Sequence, residues 1–183
     1  RHIGDSQVQG RYRFADNRLE VLRELPPFTA VQGELSFTSD KLQAKNLRAR
    51  FLDQPMTVEV ASQPGGTVRI GATGSLETIA LRRFYGLRAL EHLSGETPWR
   101  GSLSVKKPAA ELRIESDLRG LASSLPEPFN KSALTALPLL VQGRIEPQRD
   151  EWTVTLGTNA GLRLQQQGPM NDGWRGRIAV GEA

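Results

Sequence analysis

The chain has 183 residues, 38% of them hydrophobic, a net charge of +4 and no cysteine. That length suits one hydrophobic core or one long sheet and does not require two domains. Without cysteine, and with only His2 and His92, which lack ligand-like spacing, the chain offers no disulfide framework, thiol nucleophile or zinc cluster. Its arginines are spread along the chain rather than gathered in a basic tail, which is the pattern of a solvated face. No apolar run approaches the ~20 residues of a membrane-spanning helix, and no signal peptide is visible. Starting at an arginine and ending without terminal punctuation, the sequence reads as an interior segment of a longer protein, with anchors and targeting signals outside it.

In chain order, the first elements are strands from Gln7 to Phe14 and from Arg18 to Arg23, joined as a hairpin through Ala15-Asp16-Asn17, where Asp and Asn suit a tight turn. Pro26-Pro27 forces an extended connection to a strand from Ala30 to Thr38. In Lys41 to Phe51 the apolar positions switch from even (Leu42, Ala44) to odd (Leu47, Ala49, Phe51), which predicts a bulge near Lys45-Asn46. A turn at Leu52 to Pro55 leads to a strand from Met56 to Ala61, and Gln63-Pro64-Gly65-Gly66 returns it as Thr67 to Thr73. Ser75 is placed to cap a helix from Leu76 to Tyr85, with Gly86 as its stop; a shorter helix from Leu87 to Leu93 follows, ended by Gly95 and Pro98. Strands resume at Trp99 to Val105 and Glu111 to Leu118 around the hairpin Lys106-Lys107-Pro108-Ala109. Arg119 to Lys131 is a proline-interrupted crossover. The last third holds strands Pro138 to Ile145, Glu151 to Gly157, Gly161 to Gln167 and Gly173 to Val180, with turns at Gln148-Arg149-Asp150, Asn159-Ala160 and Pro169 to Asp172.

One strand pattern recurs five times. Val8-Gln9-Gly10, Val31-Gln32-Gly33, Trp99-Arg100-Gly101, Val141-Gln142-Gly143 and Trp174-Arg175-Gly176 each place an apolar residue, Gln or Arg, then Gly at the start of an alternating run. Some ten strands spaced at ~4.8 Å, each of six residues at ~3.3 Å, make a dry face on the order of 900 Å². A ten-residue helix covers about 150 Å² of it. Soluble monomers rarely leave more than a few hundred square ångströms of apolar patch open. The sheet must therefore close as a sandwich or barrel, or bend into a half-open trough that holds something apolar. An acyl chain suits such a trough, because each buried methylene contributes about 0.8 kcal/mol without a polar partner. Pattern alone leaves both solutions open.

The stretch Leu118-Arg119-Gly120-Leu121-Ala122-Ser123-Ser124-Leu125-Pro126-Glu127-Pro128-Phe129-Asn130-Lys131 closely resembles a segment of YhdP-type proteins, a branch of the AsmA-like superfamily of Gram-negative envelope proteins. Gly120, Leu125-Pro126-Glu127-Pro128 and Lys131 carry the match. Leu42 to Phe51 with its turn to Pro55, and Tyr85-Gly86-Leu87 through Leu93 to Gly101, resemble the same family in the same order. One departure is Asp53-Gln54, where the family pattern has glycines before Pro55. The resemblance implies a mainly β fold: a long curved, mostly antiparallel sheet forming a half-open hydrophobic groove, with one or two short α-helices near 76–93. It also implies a periplasmic protein anchored to the inner membrane by a helix outside this segment, built of repeating β-groove units that carry phospholipid between inner and outer membranes. Residues 1–183 would be one segment of such a bridge, with sub-units 1–75, a helical insert 76–95, and 96–183. Its partners would be phospholipid and the neighbouring repeats of the same chain, and its open edges favour edge-to-edge self-association.

The expected groove lining is Val31, Leu35, Phe37, Met56, Val58, Val60, Val68, Ile70, Leu103, Val105, Leu112, Ile114, Val141, Ile145, Val154, Leu162, Leu164 and Ile178. The rival is a closed β-domain that scaffolds envelope or outer-membrane protein assembly and binds polypeptide at a sheet edge. Catalysis has no seat in the sequence. Gly71-Ala72-Thr73-Gly74-Ser75 lacks the lysine of a phosphate loop, no Gly-x-Ser-x-Gly elbow exists, and carboxylates are scattered singly. No cofactor or metal is expected. Arg11, Arg13, Arg48, Arg50, Arg113, Arg144, Arg175 and Arg177 alternate with apolar residues and belong on the solvent face, with contact to anionic head groups as the functional alternative. Nucleic-acid binding is not expected, because the few aromatics do not interleave with the basic positions. Trp99, Trp152 and Trp174 fall near strand starts, in the core or at a groove rim.

Overall fold

Alternation makes each strand two-faced, and the chain joins its strands into one continuous sheet. The computed structural model describes residues 8–20, 26–158, 160–167 and 173–181. The strands are β1 Gln9–Leu19, β2 Phe28–Thr38, β3 Leu42–Phe51, β4 Gln54–Gln63, β5 Thr67–Glu77, β6 Leu93–Lys106, β7 Ala109–Ser116, β8 Leu121–Ser123, β9 Leu139–Glu146, β10 Arg149–Leu156, β11 Ala160–Gln167 and β12 Trp174–Val180. Helix α1, Thr78–Tyr85, and a 3-10 turn, Arg88–His92, lie between β5 and β6. All strands but β8 lie side by side in chain order, each antiparallel to the next, and β8 pairs with the N-terminal end of β6. Among the described residues β1 pairs only with β2 and β12 only with β11, so the sheet they form is open and is not closed into a barrel.

The register from β4 to β12 is unbroken, whereas β1, β2 and β3 each carry an extra residue. These residues are Asp16 (φ 65°), Ala30 (φ 51°) and Asn46 (φ 54°), all in the left-handed region. The bulge expected near Lys45-Asn46 is thus found between Ala44 and Leu47. The hairpin expected at Ala15-Asp16-Asn17 is instead a bulge inside the single strand β1. Asn17 Oδ1 accepts the Ala15 amide at 2.9 Å, supplying the partner that the interrupted ladder withholds, and pairing with β2 then continues to Leu19. Residues 21–25, part of the expected second strand, lie outside the described residues.

The helical insert also differs from expectation. Ser75 caps nothing; β5 runs on through Glu77 because Gly74 and Leu76 continue its alternation and Glu96 to Trp99 supply a partner strand. Helix α1 therefore begins at Thr78, whose buried hydroxyl donates to Gly95 O at 3.1 Å. Its stop is as read: Gly86 at φ 62° donates its amide to Arg82 O at 2.9 Å. The second helix is only the 3-10 turn, and Gly95 and Pro98, read as helix breakers, sit inside β6. The proline-rich crossover holds the three-residue β8. The turn expected at Gln148-Arg149-Asp150 is Pro147-Gln148, with Arg149 and Asp150 already in β10. Asn159 and Pro169 to Asp172, expected as turns, lie outside the described residues.

In a sequential antiparallel sheet, alternate connections fall on opposite rims. One rim has short turns, including Pro64-Gly65-Gly66, Lys107-Pro108 and Pro147-Gln148. The other carries α1, the 3-10 turn, β8 and the crossover. It also carries the two-residue turn Leu52-Asp53, where both residues have positive φ (51° and 63°), with Arg50 Nη1 donating to Asp53 O at 2.8 Å. Glycine is favoured in that conformation, so Leu52 and Asp53 hold a strained backbone. Replacing Leu52-Asp53 by Asn-Gly is expected to raise stability by about 1–2 kcal/mol. The measurement is the denaturant midpoint at constant slope, and an unmoved midpoint would remove strain from this turn.

Among the described residues no second layer covers the sheet, and burial follows the bulges. The core lies over β2 to β4, where Val31, Ala49 and Met56 form one cluster and Ala44, Leu47 and Val60 a second. Phe14, from β1, packs on both; it is paired with Gly33, which puts no side chain between them. Bulges bend a strand and increase its twist, so three in succession curve the sheet over β1 to β3. From β5 onward the same face opens. Val141, Val154 and Leu162 are half-buried, and on the edge strand Ile178 is 74% exposed.

Candidate functional site

Residues opposite each other in an antiparallel ladder share a face, so the register traces the dry side across the molecule. One row runs Val58, Ala72, Gly101, Ile114, Val141, Val154, Leu162, Ile178. It starts at Leu47 in β3. The next runs Tyr12, Leu35, Ala44, Val60, Ile70, Leu103, Leu112, Gly143, Trp152, Leu164, Gly176. Toward the short-turn rim lie Gly10, Phe37 and Leu42, then Ser62, Val68, Val105, Ala110, Ile145, Asp150, Gln166 and Trp174. Toward the other rim, Met56 faces Ala49 and Gly74, and Val31 packs on Met56 and Ala49. Every candidate lining residue falls on this one face. The structure assembles them as a continuous apolar strip that is deep and packed at β2 to β4 and shallow and open at β10 to β12. Polar groups on it lie at both rims: Ser62, Asp150 and Gln166 at the short-turn rim, and Thr97 and Ser116, whose hydroxyls are 3.1 Å apart, at the other.

The face includes residues that periodicity did not nominate. Phe14, Leu47, Ala49, Trp99 and Trp152 lie among the candidates. Leu47 and Ala49 were legible from the switch of alternation in β3. Trp99 was ambiguous between core and rim, and it lies on the apolar strip, its ring edge-on to Phe51 at 6.4 Å and its Nε1 donating to Ser75 O at 3.2 Å.

The recurrent glycines all sit on this face, beneath bulky neighbours. A Cβ on Gly143 would lie 2.7 Å from Trp152 Cζ3, one on Gly10 2.4 Å from Phe37 Cζ, and one on Gly176 2.6 Å from Leu164 Cδ2. In these three pairs the glycine and the large residue are directly opposite across the ladder. Gly33, at φ 130°, lies under Leu47 Cδ2 in the same way, and Trp99 lies over both Gly74 and Gly101.

The opposite face is polar. Arg11, Arg13, Arg48, Arg50, Arg113, Arg144, Arg175 and Arg177 are all exposed on it. Hydrogen bonds from Arg113 (2.6 Å) and Arg100 (2.8 Å) hold the Glu115 carboxyl below its ordinary range. Such exposed pairs contribute little to stability. Gly71 to Ser75 is part of β5, and His92 is exposed, with its Nδ1 3.4 Å from the Ser124 hydroxyl. Among the described residues no group of histidine, aspartate and glutamate could hold a metal ion, and no helix is long and apolar enough to cross a membrane.

The crossover Leu118 to Lys131 is a folding device at the long-connection rim. Lys131 is buried, and its Nζ donates to Leu118 O at 2.8 Å, to Ser132 O at 3.0 Å and to Leu121 O. Burial pushes its pKa down, with Asp117 opposing the shift. Gly120 and Gly95 meet back to back: a Cβ on Gly120 would lie 2.1 Å from Glu96 O, and one on Gly95 2.0 Å from Gly120 O. Only glycine fits either site.

An open antiparallel sheet with one uncovered apolar face is what relatives of this sequence must share if they share its fold. The chain is 25% identical over 133 residues to the intermembrane phospholipid transporter YhdP of Escherichia coli (strain K12), an alignment covering 68% of this chain and 10% of that protein. The chain thus spans about a tenth of the length of the curated relative it matches. No solved structure matches. The family model described as YhdP protein matches residues 2–182, essentially the whole sequence, and the chain belongs to the YhdP family.

Proposed function

We propose that this chain is one length of a non-enzymatic phospholipid conduit in the periplasm, part of a bridge anchored in the inner membrane and reaching toward the outer. The observation that carries the reading is the uncovered apolar strip, continuous from β1 to β12. Acyl chains lie along that strip, each buried methylene contributing about 0.8 kcal/mol, and slide because no polar group fixes their position. Head groups face water at the rims, where polar side chains interrupt the apolar rows, Ser62, Asp150 and Gln166 on the short-turn side and Ser116 on the other. Helix α1 packs against β5 and β6 on the opposite rim. Membership in a family whose curated relative is a phospholipid transporter supports this substrate class. β1 and β12 offer unpaired backbone and exposed Val8, Tyr12, Trp174 and Ile178, to which neighbouring repeats add in the same sheet; in isolation the same edges pair chain to chain.

The test is native mass spectrometry and lipid extraction of the purified chain after incubation with vesicles of phosphatidylethanolamine and phosphatidylglycerol. Bound phospholipid at about one or more per chain is expected. A lipid-free chain under these conditions overturns the conduit and leaves a scaffold that binds polypeptide at the sheet edge.

A further inference from the structure

We propose that the recurrent glycines are sockets that set the depth of the trough, Gly143 seating Trp152, Gly10 seating Phe37 and Gly176 seating Leu164, so that the largest side chains lie down on the floor instead of standing in the lumen. The inference rests on the lipid-conduit reading and adds the residues that keep the conduit clear.

Side chains on a strand normally stand roughly perpendicular to the sheet. Two packed sheets fill their shared ~10 Å with such side chains, so an upright tryptophan occupies about 5 Å or more above its own backbone. Trp152 does not stand. Three atoms of its six-membered ring, Cζ3, Cε3 and Cη2, lie 2.7, 2.9 and 3.0 Å from where a Cβ of Gly143 would be. The ring is laid over the glycine at van der Waals contact. Phe37 does the same over Gly10, with Cζ, Cε2 and Cε1 at 2.4, 2.8 and 2.9 Å from the Cβ position. The repetition matters: each pair joins the glycine of one copy of the strand pattern to the bulkiest residue opposite it, and the pairs are spaced from β1 to β12. A glycine placed to let the strand bend would sit at a register break, and Gly143 and Gly176 lie in the unbroken part of the sheet. Gly143 is also outside the left-handed region, so alanine there changes the space and not the backbone preference.

A glycine under an aromatic ring also stabilises a sheet pair through packing alone. The experiment separates that role from lumen clearance. Gly143→Ala, Trp152→Ala and the double variant are each incubated with the same phosphatidylethanolamine and phosphatidylglycerol vesicles. Bound lipid is counted by native mass spectrometry, and tryptophan accessibility is read by acrylamide quenching. Gly143→Ala is expected to raise quenching and lower lipid occupancy by about fivefold, and the double variant to recover occupancy to near the unsubstituted level. Occupancy unchanged in Gly143→Ala, or a double variant as poor as the single, overturns the socket. Should Gly143→Ala not fold, Gly176→Ala on the exposed edge strand repeats the test against Leu164→Ala. If the unsubstituted chain takes up no lipid, the conduit reading fails, and the quenching arm alone then decides whether the glycine seats the ring.

Discussion

Val58→Asp, or Ile70→Asp, is expected to empty the trough of phospholipid while the chain keeps a β-rich circular-dichroism spectrum. Val58 lies mid-row between Leu47 and Ala72, and Ile70 between Val60 and Leu103, both half-buried. A carboxylate in that strip must either stay hydrated, which floods the floor, or lose its water against an acyl chain. The second costs several kcal/mol, and 1.4 kcal/mol already corresponds to about a tenfold loss of occupancy. The matched control is Thr57→Asp. Thr57 is the neighbour of Val58 in β4, pairs with Thr73, and is exposed on the polar face. If Thr57→Asp loses lipid as completely as Val58→Asp, the loss reports damage to the sheet and the apolar strip is not the lipid site.

Lys131→Met should loosen the crossover by about 3 kcal/mol, the scale of removing a charged donor from several buried acceptors. Leu118 O, Leu121 O and Ser132 O would all lose the ammonium. Ser123 and Lys131 exchange amide hydrogen bonds at 2.9 and 3.1 Å, and the Gly120 amide bonds Ala133 O at 2.8 Å. Those three amides are expected to exchange hydrogen faster, whereas amides of β9 to β11 keep their protection. Unchanged exchange at Gly120 and Ser123 would show that the prolines and the glycine pair hold the crossover without the lysine.

Much of the sheet was legible because alternation reports directly on which side of a strand is dry. The bulge at Asn46 was legible for the same reason, since a change of parity has only one structural remedy. Two readings failed where local chemistry and long-range pairing disagreed. Asp16-Asn17 has the composition of a turn, but the strand opposite was long enough to keep pairing past it, and the ladder prevailed. Ser75 has the composition of a cap, but Glu96 to Trp99 extended β5 by the same competition. The socket glycines were visible as a repeat, yet the occupant of each socket belongs to a neighbouring strand at no fixed sequence distance. Only the register could pair Gly143 with Trp152.

Asn46 also has a meaning for chain length. In most strands, losing one residue turns every later side chain inside out. In β3 the extra residue sits between two stretches whose parities differ, so deleting Asn46 would bring Leu42, Ala44, Leu47 and Ala49 into a single alternation and leave their facing intact. Asp16 and Ala30 occupy equivalent places in β1 and β2. A single-codon gain or loss at these points would therefore alter how sharply the sheet bends without changing which residues face its apolar side, making curvature a property that this architecture can vary independently of that surface.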